Sequence, residues 1–324
     1  MPVVSPQAIL ATCSRETRVG SVEEDEMLEQ VSCNLCGADD TAPVAEIDGL
    51  HIVRCRRCGL LYVNPRYRED LLQKIYTEAY YDHDGILNGL EFFGYDNYIA
   101  DEENIRITFA KRLRTIEHYV SGGRLLDIGC ATGFFLALAR AKGWEVVGTE
   151  VSQFSAHYAL EKLGLDVRLG SLKKLGFPSE SFDVVTMWDV LEHVTDPMAE
   201  LQEIHRILRR GGLLSIITPD AGSLVARFLG KRWEEFRRVR EHVYFFSRRT
   251  MTRMLCQAGF DALKFESAGK MFYLGPAMER LKYYTWDGAL TSVASRWVYR
   301  LGLDKIRIQV NPFTKMTVYA QRHA

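Results

Sequence analysis

The sequence predicts a doubly wound α/β fold with a small cysteine-bearing module in front of it. Three observations carry that expectation. The run LLDIGCATGFF, Leu125 to Phe135, is an apolar strand closed by Asp127 and a tight turn bearing Gly129 and Gly133. A second apolar run, WEVVGTE, ends in Glu150, 23 positions after Asp127. Beyond it, continuous or period-two apolar strands alternate with helical stretches, as doubly wound sheets require. Open sheets of this kind bind ligands at the carboxyl ends of their strands, where glycines let the backbone come close.

The local chemistry narrows the ligand. A dinucleotide fingerprint needs glycine at 129, 131 and 134, and the chain has Gly129, Ala131 and Phe134. A carboxylate at 127 repels a pyrophosphate but accepts hydrogen bonds from an ammonium group. S-adenosylmethionine carries that ammonium and no phosphate. Glu150 stands where an acid after the second strand takes ribose hydroxyls, so the two acids suit the two ends of one ligand.

With these residues in view, the segment from about Gly123 to Gly269 resembles a class I S-adenosylmethionine-dependent methyltransferase. PSESFDVVTMWDVLEHVTDP (178–197) is similar to that family's fourth strand and following loop, and ELQEIHRILRRGGLLSIITPD (200–220) to the next helix and fifth strand, with Gly211 and Gly212 stopping the helix. EHVYFFSRRTMTRMLCQAGF (241–260) resembles the loop, helix and turn before the sixth strand, and KMTVYAQR (315–322) the closing seventh. The resemblance implies a seven-stranded, mostly parallel Rossmann-like methyltransferase sheet with the last strand inserted antiparallel. It also implies that the donor binds with Glu150 on its ribose, Asp127 and Gly129 toward its methionine end, and Ser171 or Leu172 beside adenine. Cys130, Gly133, Val151, Trp188 and Asp189 complete its surroundings. Where the family often holds adenine with an acid, this chain reads Gly170-Ser171.

The 324 residues carry a formal net charge of −1, which advertises no polyanion partner, because nucleic-acid binding normally shows as a basic domain or stripe. The chain lacks an apolar run long enough to span a bilayer and a basic stretch followed by an apolar one at its start, so a cytoplasmic protein is expected. Residues 1–31, with the acid cluster Glu23 to Glu26, read as a poorly ordered tail.

Four of the seven cysteines form Cys33-x-x-Cys36 and Cys55-x-x-Cys58, with 18 residues between the pairs. Each pair can grip one metal from a tight knuckle, and four thiolates close a tetrahedron that leaves no position for substrate. The expected Zn²⁺ is therefore structural; disulfides suit a reducing compartment less. Residues 32–66 resemble the zinc ribbon at the front of bacterial methyltransferases, some of which act on deoxysugar nucleotides or lie in polysaccharide pathways. The next stretch, 67–122, reads as a helical linker or lid, in which Tyr76, Tyr80 and Tyr81 fall where that subgroup has a tyrosine-rich helix and turn over the donor. The methyltransferase domain follows over 123–324, with 221–245 as an acceptor-side insertion.

Methyl transfer needs donor and acceptor aligned and a proton removed from the acceptor. His193, in WDVLEHV, and His242, in REHVYFFS, are the histidines expected at the carboxyl edge of the sheet. The Glu-His pair at 241–242 resembles one in sugar C-methyltransferases with the same ribbon. His242 is accordingly expected to be the base and His193 to shape the donor side, with Tyr244 and Trp233 as candidate acceptor walls. In Ser223 to Arg240, apolar residues at helical spacing among arginines suit packing on the chain's own domain, an anionic acceptor, or peripheral contact with a membrane. The expected activity is methyl transfer to oxygen or carbon of a small molecule: a sugar, sugar nucleotide, glycan or natural product. The rivals are an RNA methyltransferase that uses the ribbon on its substrate, against which the charge argues, and a non-catalytic donor-binding scaffold.

Overall fold

The computed structural model describes residues 27–72, 86–87, 90–91, 98–281 and 288–323. Tyr76, Tyr80 and Tyr81 lie outside them. The front of the chain folds as β1 (Leu28–Glu29), β2 (Thr41–Ile47), β3 (Leu50–Cys55), β4 (Leu61–Val63) and β5 (Arg66–Tyr67), then α1 (Glu69–Leu72) and the paired strands β6 (Ile86–Leu87) and β7 (Leu90–Glu91). The stretch read as tail through residue 31 contributes β1, which pairs antiparallel with β5. Arg66 Nε fixes that edge by donating to Glu29 Oε1 at 2.8 Å, and the Val31 N–H donates to Asn64 Oδ1 at 3.0 Å.

The long helix α2 (Glu102–Tyr119) leads into the alternating region: β8 (Arg124–Ile128), α3 (Phe134–Ala141), β9 (Glu145–Glu150), α4 (Gln153–Leu163), β10 (Val167–Leu169), α5 (Leu172–Leu175), β11 (Phe182–Trp188), α6 (Pro197–Ile207) and β12 (Leu208–Pro219). The remainder comprises α7 (Leu224–Leu229), β13 (Tyr244–Phe245), α8 (Arg248–Gln257), β14 (Phe260–Ser267), β15 (Lys270–Tyr273), α9 (Leu274–Leu281), α10 (Gly288–Arg300), β16 (Arg307–Val310) and β17 (Lys315–Arg322). The main sheet has seven strands in the order β10-β9-β8-β11-β12-β17-β14. β17 runs antiparallel to both β12 and β14, as expected of the closing strand. One boundary differs: the helix before β12 ends at Ile207, and Gly211 and Gly212 lie inside the strand. Arg209 Nη1 reaches both oxygens of Asp183 on β11 at 2.6 and 2.7 Å, which ties the start of the strand to its neighbour.

Alternation along the strands sends neighbouring residues to opposite faces. Leu126, Val185 and Leu214 pack on one side with Leu201, Ile204 and Met254. Leu125, Val184 and Leu213 pack on the other with Phe109, Phe134 and Phe135. The first of these cores runs without a break into the cysteine module, taking in Cys33, Cys55, Leu60 and Tyr62.

The insertion at 221–245 completes the join. β13 adds to the module's sheet, giving the order β13-β4-β3-β2, with Tyr244 opposite Tyr62 and Phe245 opposite Leu61. Trp233 and Phe236 bury themselves against Ile52, Leu61 and Val63. Trp233 is thus a core residue and no acceptor wall. The apolar stripe read over 223–240 is divided: Leu224 and Phe228 stay 81% and 91% exposed, while Trp233 and Phe236 turn inward where short 3₁₀ turns interrupt the helix after Leu229.

A core shared in this way should unfold as one unit. Trp233→Ala removes a side chain that is 1% exposed, for a loss of about 3–5 kcal/mol. Thermal unfolding of this variant, followed both by far-UV circular dichroism and by thiol release from the module, should give one coincident transition at lower temperature. Separate transitions would show that the module folds independently.

Candidate active site

The order of the sheet reverses direction between β8 and β11, and the crevice of a doubly wound sheet opens at such a point. A cavity of about 740 Å³ lies there, a size that suits a nucleoside-bearing donor with a small acceptor. Asp127, Gly129, Cys130, Glu150, Val151, Ser171, Leu172, Trp188, Asp189 and His193 all line it.

Glu150 is tied to the glycine turn. Its Oε2 accepts from the Ala131 N–H at 2.8 Å, and its Oε1 from the N–H groups of Val151 and Ser152 at 2.8 Å each. Burial pushes this carboxyl up, and the three amides oppose the shift. A carboxylate offers about four acceptor positions, so capacity for a ligand hydroxyl remains. Asp127 is 1% exposed and accepts from Thr186 Oγ1 at 2.6 Å. Burial pushes it up to about 8, the Thr186 hydrogen bond opposing and Glu150 adding to the shift.

The turn is built by backbone that side chains resist. Gly129 has φ +66°, and a Cβ there would meet Val190 Cγ2 at 2.6 Å. Ala131 adopts φ +48° without being glycine. Gly133 corrects the sequence reading: it does not line the cavity. It begins α3 at φ +81°, and a Cβ there would strike Leu165 at 2.5 Å and Ala159 at 3.1 Å. Its smallness serves packing behind the turn. Cys130 is buried between the cavity and β9, where a Cβ on Gly148 would meet its sulfur at 2.6 Å.

Asp189, just past β11, also has left-handed backbone, φ +57°. Burial alone would raise its carboxyl, but Lys315 Nζ at 2.8 Å and Lys270 Nζ at 3.5 Å hold it well below the usual range. Arg112 of α2 lies over the rings of Phe109 and Trp188, each at 5.3 Å, and lines the same cavity. Sequence reading missed Arg112 and Lys270. The 108–109–112 spacing on an amphipathic helix is the one signal that could have shown Arg112 facing inward.

The two histidines are brought together in an order opposite to expectation. Their rings pack edge to face, with centroids 4.6 Å apart. His193 lines the cavity; His242 is 1% exposed, stands behind it and does not line the cavity. The reason is β13, whose pairing with β4 draws the preceding residues down into the core. His193 Nδ1 lies 3.0 Å from the Glu241 carbonyl oxygen, and His242 Nδ1 lies 3.4 Å from Glu235 Oε2. Burial, with Arg238 beside it, pushes His193 down to about 3, and burial with His193 beside it pushes His242 well below the ordinary imidazole range. Both rings are therefore neutral at pH 7. Tyr244 is buried too: it receives a hydrogen bond from Arg66 Nη1 at 3.0 Å and donates to the Thr195 carbonyl at 3.2 Å, so it braces the loop after β11 and is no acceptor wall.

The cysteines form a second centre. Among them Cys33 and Cys58 sulfurs are 3.4 Å apart and Cys36 and Cys55 sulfurs 3.5 Å, and all four lie within 4.8 Å of one another. Sulfurs at about 2.3 Å from a tetrahedral zinc stand about 3.8 Å apart, so the set fits one such ion. Gly37 and Gly59, at φ +70° and +86°, turn each knuckle.

Residues 101–264 match the family described as Methyltransferase domain, and the chain belongs to that family of S-adenosylmethionine-dependent enzymes. An uncharacterized protein of Methanocaldococcus jannaschii is 31% identical over 175 residues, covering 52% of this chain and 78% of that one. The ubiquinone biosynthesis O-methyltransferase of Parvibaculum lavamentivorans is 38% identical over 100 residues, 29% of this chain. The match takes in 40% of that enzyme, and 49% of its counterpart in Ruegeria pomeroyi. In structure, a chain from the Haloferax volcanii complex of the Trm112 methyltransferase activator with a methyltransferase is 19% identical, with 69% of this chain and 92% of that one covered and a TM-score of 0.51. Among the described residues no helix is long and apolar enough to cross a membrane.

Donor binding should carry a proton signature. With Asp127 raised to about 8, its carboxyl is largely protonated at pH 7, and an ammonium group beside it favours the ionised form. Binding of S-adenosylhomocysteine should therefore release a proton, and affinity should rise from pH 6 to 8 and level off above. Calorimetry in buffers of different ionisation enthalpy reads the release directly. Asp127→Asn should lose both the release and the pH slope; a slope that survives in this variant would remove Asp127 from the donor site.

Proposed function

We propose that this methyltransferase acts on an oxygen or carbon of a small polar acceptor, of the class that includes sugars, sugar nucleotides and related natural products. The observation that supports this reading is one cavity lined both by the acids suited to the donor and by His193. When bound, S-adenosylmethionine supplies an electrophilic methyl group. Glu150 and Asp127 orient the donor, Ser171 and Leu172 flank its base, and the aromatic wall of Phe109 and Trp188 keeps water from the reacting atoms. His193 faces the acceptor and activates it. His242, first read as the base, becomes a positioning residue that holds the His193 ring from behind. Arg112, which lines the same cavity, gives it a positive side that suits a phosphorylated or otherwise anionic small molecule, whereas Lys270 is taken up by Asp189. A second reading, transfer to a hydroxyl on an aromatic ring, is favoured by that same aromatic wall and by the ubiquinone relatives. In the front module, Cys33, Cys36, Cys55 and Cys58 would hold a structural zinc ion.

His193→Ala should lower kcat by about 10²–10⁴ and leave S-adenosylhomocysteine affinity unchanged. His242→Ala should lose turnover as well, because it supports the same ring. Near-normal turnover in His193→Ala with any acceptor the protein methylates would remove activation from this wall and leave alignment alone. Metal analysis of freshly purified protein should return one zinc per chain, and its absence would remove the ion from the module.

A further inference from the structure

We propose that Glu192, His193 and His242 hold a divalent metal ion on the acceptor side of the cavity, separate from the four-cysteine centre. One ligand atom from each residue lies within 4.8 Å of the others. One carboxylate and two imidazoles form a ligand set that leaves coordination positions open, as in metal centres that bind substrate.

The surroundings of each ligand point the same way. Glu192 is 0% exposed, and among the described residues neither of its carboxylate oxygens has a hydrogen-bond partner. Buried carboxylates are ordinarily paired or bound to metal, and the nearby cations are already matched to other acids. Lys315 and Lys270 lie on Asp189, and Arg238 Nε lies 3.2 Å from Glu241 Oε1. Glu192 is the acid left over.

His193 is oriented as a metal ligand is. A ligating imidazole donates its second ring N–H to a carbonyl or carboxylate, which fixes its tautomer and direction. His193 Nδ1 lies against the Glu241 carbonyl at 3.0 Å and His242 Nδ1 against the Glu235 carboxylate at 3.4 Å. The first contact places the lone pair of His193 on Nε2, and neither ring nitrogen of His242 has a hydrogen bond among the described residues, which leaves a lone pair of that ring for the ion. Neutral imidazole is the ligand form. Since His193 also lines the cavity, the open positions face the acceptor.

What the ion does rests on the methyl-transfer reading; that it binds does not. His193 then activates the acceptor through the ion, its Nε2 being a ligand and not a proton acceptor. A hydroxyl bound to the ion releases its proton to solvent near neutral pH, since a bound cation lowers the pKa of an attached O–H steeply. The oxygen's lone pair then forms the bond to the methyl carbon, and the pair of the breaking S–CH₃ bond returns to sulfur. Activation of this kind favours oxygen over carbon as the methylated atom.

The test is Mn²⁺ binding to the full-length protein with its cysteine centre loaded with zinc, because manganese prefers oxygen and nitrogen ligands over thiolates. Electron paramagnetic resonance of free Mn²⁺ should show one additional site per chain. Glu192→Gln and His242→Ala should each weaken it by at least tenfold while keeping their circular dichroism and their affinity for S-adenosylhomocysteine. No Mn²⁺ binding at millimolar concentration, or binding unchanged in both variants, would overturn the proposal. Loss of S-adenosylhomocysteine binding by the unaltered protein would instead strike the methyl-transfer reading and leave the metal result standing.

Discussion

The pairing of Tyr244–Phe245 with Leu61–Tyr62 sets the position of the acceptor-side wall. From that pair a run of backbone hydrogen bonds crosses into the methyltransferase domain: the Val63 N–H donates to the Val243 carbonyl at 3.0 Å, and the Val243 N–H donates to the Glu192 carbonyl at 2.9 Å. Glu192 and His193 sit on one side of that junction and Glu241 and His242 on the other. The side chains reinforce it. Arg66, 7% exposed, reaches the Thr195 carbonyl at 2.8 Å, and Asn34, one residue past Cys33, donates to Asp196 at 2.8 Å and accepts from the Met198 N–H at 2.9 Å. The module therefore braces the loop that carries His193, although its four sulfurs form a centre of their own.

The donor end is built differently. It belongs to the central sheet alone, and its rigidity comes from backbone amides gathered on one buried carboxylate, Glu150. The left-handed residues Ala131 and Asp189 follow two adjacent strands, β8 and β11. Non-glycine residues in that region cost of order 1–3 kcal/mol and persist where the surroundings over-determine them. At Asp189 the surroundings are two lysines, one from β15 and one from β17, so the last strand of the chain helps to fix the turn after β11. One cavity is thus shaped by two separate supports.

Most of the fold was legible because periodicity and the glycine turn report it directly. Asp127, Gly129 and Glu150 line the cavity because each ends or follows a parallel strand, and strand ends converge there by topology. Gly133 misled because glycine spacing cannot distinguish close approach to a ligand from close approach to a neighbouring helix. The order of the histidines was hidden for a different reason. β13 is two residues long, too short to show a period, and its partner β4 lies some 180 positions earlier in the chain, so nothing local announces that His242 is pulled behind His193. Glu192 was passed over because an acid beside a loop histidine reads as solvated until its burial is seen.

Hydrogen exchange before and after chelation of the cysteine centre tests most directly whether that centre supports the acceptor wall. If the strand pairing carries the support, removing the metal should accelerate exchange at 33–63 and, with it, at 190–196 and 243–246. Amides of 124–150, which belong to the donor end, should keep their protection. Acceleration confined to 33–63 would contradict the account and make the module an appendage to a wall that stands without it.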